Sequence, residues 1–166
     1  PAPTTVTHFF APAWRNPVVE IVNWDEFRRV DLEYLYWLFG ALGKLPLVVE
    51  DEIAFMLDRV FNNWCNESGK LLDRATAAAI DATAEEFVAA GPFGVLNLSN
   101  GNPIIVEANG YLAEENDAYE PAHIFRSVEE WDTIDPGADV EVPPDVEALA
   151  RDRLLGVLFS QATDVV

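Results

Sequence analysis

The sequence predicts an α+β fold of about four helices with a small antiparallel sheet, a three-stranded meander plus one N-terminal strand. Three observations predict it. Apolar residues recur at three- and four-residue spacing from Phe27 to Ala90, the runs after Pro92 are short and strand-like, and two Asn-Gly pairs punctuate those runs. With 166 residues, half of them hydrophobic, the chain is long enough to bury about two thirds of its unfolded surface in a single core. The predicted organisation is a Pro-rich arm, residues 1–17, followed by one acidic domain, residues 18–166.

The arm carries four prolines and three threonines, with Phe9, Phe10 and Trp14 available to dock onto the body. Val18 to Val22 is apolar, rich in β-branched residues and bounded by Pro17 and Asn23, which predicts a strand. Asn23 and Glu26 have capping-box spacing. The helix that they open should bury Phe27, Val30, Tyr34, Trp37, Leu38 and Ala41 and end before Pro46. Glu50-Asp51-Glu52 places three carboxylates at the positive end of a second helix, whose stripe is Ile53, Met56, Leu57, Val60, Phe61 and Trp64.

Gly69 separates this helix from a third, over residues 71–90, which Gly91-Pro92 ends. The meander then runs through 93–98, 103–108 and 111–114, because Asn100-Gly101 and Asn109-Gly110 tolerate the positive φ of tight hairpin turns. Residues 115–145 form an acidic link with one short helix implied by Ser127 and Glu130. Asp145 caps a last helix that buries Val146, Leu149, Ala150, Leu154, Val157 and Leu158.

Charge narrows the function classes. The chain has 29 acidic and 10 basic residues, a formal net charge of −19. Such a field repels nucleic-acid phosphates and anionic lipid, and it attracts basic proteins. The expectation is a basic protein partner, no direct nucleic acid binding and no membrane association. Cys65 is the single cysteine, which excludes an intrachain disulfide framework and a thiolate metal cluster. A cytoplasmic protein is expected, since no leader-like segment opens the sequence and no apolar run approaches the roughly 20 residues of a membrane span.

Signatures of catalysis are weak. His8 and His123 stand near opposite ends of the chain and give no ligand spacing. Helix-end capping explains Glu50-Asp51-Glu52 better than a hard cation does, so no metal and no cofactor are expected. Cys65 has no histidine near it in sequence and reads as a small hydrophobe rather than a nucleophile. Ser99 lacks the GxSxG environment, and Gly94, Gly101 and Gly110 form no phosphate loop.

One feature stands out. Glu107, Glu114, Glu115, Asp117, Glu120, Glu129, Glu130, Asp132, Asp135, Asp139, Glu141, Asp145 and Glu147 fall within 41 residues whose single basic side chain is Arg126. That stretch holds 12 of the 19 net negative charges. Two readings stay open: an electrostatic surface for a basic partner with Tyr119, Phe125 and Trp131 as anchors, or a charged loop-rich edge whose aromatics belong to the core.

Residues 93–134 resemble the SMI1/KNR4-like (SUKH) immunity proteins. The resemblance rests on Pro103-Ile104-Ile105-Val106, the turn Asn109-Gly110-Tyr111, and His123 to Trp131 with its Ser127-Val128-Glu129-Glu130 segment. It implies a protein that neutralises a nucleic-acid-acting toxin by occupying its active site. The function expected from the sequence is therefore an acidic inhibitor, an immunity protein or nucleic-acid mimic. The alternatives are a structural subunit of a virion or larger complex, and a small enzyme using carboxylates and His123.

Overall fold

The structure is a computed structural model that describes residues 4–24, 27–133, 135, 138 and 140–164. Among these the chain is α+β, with six α-helices and one three-stranded mixed sheet. It divides into two compact units, Pro1–Asp58 and Arg59–Val166.

The first unit contains β1 (Thr7–Phe9), β2 (Val18–Asn23), α1 (Arg29–Ala41) and β3 (Leu45–Glu50). The sheet order is β1-β2-β3, with β1 antiparallel and β3 parallel to β2. β2 is the central strand, and Val19, Glu20, Ile21 and Val22 are all buried. This explains its near-continuous apolar run, since a strand covered on both faces has no solvent side to supply alternation. The arm is not separate from the sheet: its residues 7–9 form β1.

Several expectations change here. The first helix shows the apolar spacing, yet none of its residues is buried, and Val30, Tyr34 and Trp37 are more than half exposed. Helical period reports that one face is apolar; it does not report that anything in the chain covers that face. The Asn23–Glu26 capping box lies partly outside the described residues. Pro46 ends no helix; it sits in β3 opposite Val19. Glu50 closes β3, and the next helix starts only at Leu57, so the three consecutive carboxylates do not cap it.

The second unit is helical: most of α2 (Leu57–Lys70), α3 (Ala77–Ala84), α4 (Pro92–Ser99), α5 (Asn102–Ala113), 3₁₀ turns over Asp117–Tyr119 and His123–Arg126, and α6 (Pro144–Asp164). Its core gathers Trp64, Cys65, Leu71, Ile80, Phe93, Leu96, Ile105, Phe125, Trp131, Ala150 and Leu154. α3 packs on α4 and α6. The stripe predicted for α6 is borne out, with Ala150 and Leu154 buried and Leu149, Val157 and Leu158 packed beside them.

The predicted meander is absent, because residues 93–114 form α4 and α5. Pro92 and Pro103 stand in the first turns of these helices, where the missing N–H costs nothing. Asn100 does adopt the left-handed conformation expected of it, at φ 50° and ψ 44°, but as the C-cap of α4. Asn109 and Gly110 lie inside α5. The third helix is shorter than 71–90: Thr76 caps α3 by accepting from the Ala79 amide, and turns fill both flanks. No helix forms at Ser127–Glu130.

Candidate functional site

A buried carboxylate organises the first unit. Glu20 is fully buried in the middle of β2, where an acidic side chain requires partners for its lone pairs. Three donors meet it. Antiparallel pairing puts His8 of β1 directly opposite Glu20, so both side chains leave the same face of the sheet. His8 Nδ1 then lies 2.6 Å from Glu20 Oε2. The other oxygen, Oε1, accepts from the backbone amides of Met56 at 3.0 Å and Leu57 at 2.8 Å. These amides open α2, so the carboxylate also meets the positive end of that helix.

The turn that presents the two amides is strained. Ala54 and Phe55 both have positive φ, 62° and 47°, a conformation that side-chain-bearing residues adopt at a cost of roughly 1–2 kcal/mol each. Such strain collects at functional sites when the surroundings hold it in place. Here the Phe55 ring lies tilted against the His8 imidazole, with centroids 5.8 Å apart and planes at 44°. One turn into the site, Asp58 Oδ2 lies 3.4 Å from His8 Nε2.

The electrostatics follow from these neighbours. The hydrogen bond to Glu20 raises the His8 pKa above that of a free imidazole; burial opposes this, and the charges of Asp58 and Glu20 add to the rise. Burial raises the Asp58 carboxyl, with His8 pulling it back down. Glu20 fixes one ring nitrogen by accepting from it, which orients the ring and leaves Nε2 to exchange protons.

Sequence reasoning missed this site because it weighed the histidines by their separation from each other. The signal was elsewhere: one acidic residue within an otherwise apolar strand, and a histidine in a short β-prone stretch ahead of it. His123, the histidine considered for catalysis, is exposed on a 3₁₀ turn. Cys65 is buried in the second unit's core.

The residues expected to bind a partner lie in different environments. Phe125 and Trp131 are core residues whose rings meet edge to face at 5.6 Å. Tyr119 is half-buried, with its carbonyl accepting from Asn66 and Asn109 and the Arg59 guanidinium over its ring. Glu107, Glu114, Glu115, Asp117, Glu120, Glu129, Glu130, Asp132 and Asp135 are exposed, and Glu115 pairs with Arg59 at 2.9 Å. Among the described residues no group of His, Cys, Asp and Glu is arranged to hold a metal ion, and no helix is long and apolar enough to cross a membrane.

Comparison with known proteins redirects the functional reading. No family model matches the chain. Over 65 residues, 39% of this chain and 9% of the relative, it is 29% identical to the fatty acid oxidation complex subunit alpha of Vibrio vulnificus. Its fold is similar to (S)-3-hydroxybutyryl-CoA dehydrogenase PaaH1 from Ralstonia eutropha, with a TM-score of 0.66 and 22% identity over 74% of this chain and 45% of that one. FadB2 of M. tuberculosis superposes with the same score and coverage at 19% identity. The 3-hydroxybutyryl-CoA dehydrogenase of Escherichia coli does so at 0.64 and 22%, over 27% of its length.

The chain thus spans less than half of each of these structures and about a tenth of the curated relative. These likenesses overturn the SUKH resemblance, and the helices found where its strands were expected agree. The immunity protein, inhibitor and nucleic-acid mimic readings fall with it, as does the basic partner. The fold that this chain shares is one found in 3-hydroxybutyryl-CoA dehydrogenases.

Proposed function

We propose that the chain supplies the proton-transfer half of a dehydrogenase acting on 3-hydroxyacyl thioesters. The observation that carries this is the His8–Glu20 pair, with Nδ1 held at 2.6 Å by a fully buried carboxylate. Interconverting a secondary alcohol and a ketone requires a proton to leave or join the substrate oxygen, and a positioned imidazole does this well near neutral pH. Glu20 orients the ring and stabilises its charged form; His8 Nε2 exchanges the proton. The names of the structural neighbours supply the substrate class.

Dehydrogenation also needs a hydride acceptor. The first unit's glycines, Gly40 and Gly43, lie at the C-terminal end of α1, where the helix dipole disfavours phosphate. The residues of that unit therefore do not fit a dinucleotide, and they account for the proton and not for the hydride.

Titration of the purified protein with 3-hydroxybutyryl-CoA, followed by imidazole NMR, tests the reading. Support is a shift of the His8 resonances that free coenzyme A does not reproduce and that leaves His123 unmoved. An unperturbed His8 at saturating ligand overturns it.

A further inference from the structure

With Nδ1 of His8 taken by Glu20, Nε2 is the ring nitrogen left for substrate. It faces a second carboxylate: Asp58, in the first turn of α2, brings Oδ2 to 3.4 Å. The imidazole is therefore flanked by acid on both nitrogens. From β2 it meets Glu20, from α2 it meets Asp58, and from the preceding turn it meets the uncharged ring of Phe55.

We propose that Asp58 is a positioning residue that keeps His8 as the imidazolium, so that the pair is poised to give a proton to substrate oxygen rather than to take one. Two carboxylates about one ion-pair distance from a single ring stabilise its positive charge, and both favour the protonated form. In the transfer, the Nε2–H bond breaks and an O–H bond forms on substrate. The neutral imidazole left behind is recharged from solvent, and Asp58 then pairs with it again. A centre so poised serves the direction in which a carbonyl becomes a hydroxyl, His8 giving the proton to oxygen and a separate hydride donor of the reduced nicotinamide class giving the hydride to carbon.

This inference rests on the proton-transfer reading above, but its test does not need substrate. The His8 titration midpoint is read by NMR on the free protein. In the wild type it lies above the usual histidine value. In Asp58→Asn, which keeps shape and removes charge, it falls towards the usual histidine value. Asp58→Ser gives a second measurement should the amide disturb α2, and both variants retain the His8–Glu20 hydrogen bond. An unchanged midpoint in the folded variants overturns the role of Asp58 and leaves the His8–Glu20 reading standing. A lowered midpoint with no response of His8 to 3-hydroxybutyryl-CoA keeps the role of Asp58 and removes the substrate class instead.

Discussion

Glu20 Oε1 and the amide of Leu57 lie 2.8 Å apart, which ties the centre of a β-strand to the first residue of a helix 37 positions later. The same oxygen accepts from Met56. Helix starts leave amides without intrahelical partners, and here a distant buried side chain satisfies two of them. Glu20→Ala should therefore destabilise the protein by about 3 kcal/mol, since it orphans two part-buried amide donors as well as the histidine. Glu20→Gln retains one acceptor for the amides and should cost less. Denaturant unfolding of the two variants checks the order; equal losses would mean that the amides find other partners.

How much of this was legible beforehand depended on range. β2 was readable because β-branched residues, a proline and an asparagine bound it locally. The stripe of α6 was readable for the same reason. The Asn-Gly pairs misled because positive φ serves a helix C-cap at Asn100 as well as a hairpin, and local chemistry does not distinguish them. The buried positions Ile105, Asn109 and Leu112 follow helical period, which two prolines and two turn signals obscured. Glu20 was legible as an anomaly and illegible as a site, because its partners arrive from β1 and from the start of α2 through tertiary contact.

Close packing at Gly69 gives a contrasting pair of substitutions. A Cβ there would lie 2.5 Å from the Phe125 ring, itself buried in the core. Gly69→Ala should cost about 2 kcal/mol, because the ring has no free volume to enter. Gly156, inside α6, has nothing within 4 Å of the same construction. Gly156→Ala should stabilise by up to about 1 kcal/mol through helix propensity alone. Thermal melts of the two variants should move in opposite directions; a common direction would place Phe125 differently.

Asp81 couples the second unit to pH. Its buried carboxyl accepts from the Phe93 amide at 2.9 Å and the Gly94 amide at 2.8 Å, so it caps the start of α4 from α3. Burial nonetheless dominates and pushes its pKa up to about 6, with the two amide hydrogen bonds pulling the other way. A carboxyl raised in the folded state takes its proton more readily there than in the unfolded chain. Its contribution to stability is complete below pH 3.8, declines as pH rises to about 6, and is flat beyond. A rise of this size corresponds to about 3 kcal/mol as an upper figure. Asp81→Asn cannot ionise, so the difference in unfolding free energy between variant and wild type isolates this group from the other carboxylates. At pH 4 the variant should be the less stable, having lost one acceptor, by about 1 kcal/mol. At pH 8 the gap should close or reverse, because the wild type then bears a buried charge that the variant lacks. A gap that widens with pH would show that the amides of α4 hold the ionised form more strongly than burial opposes it.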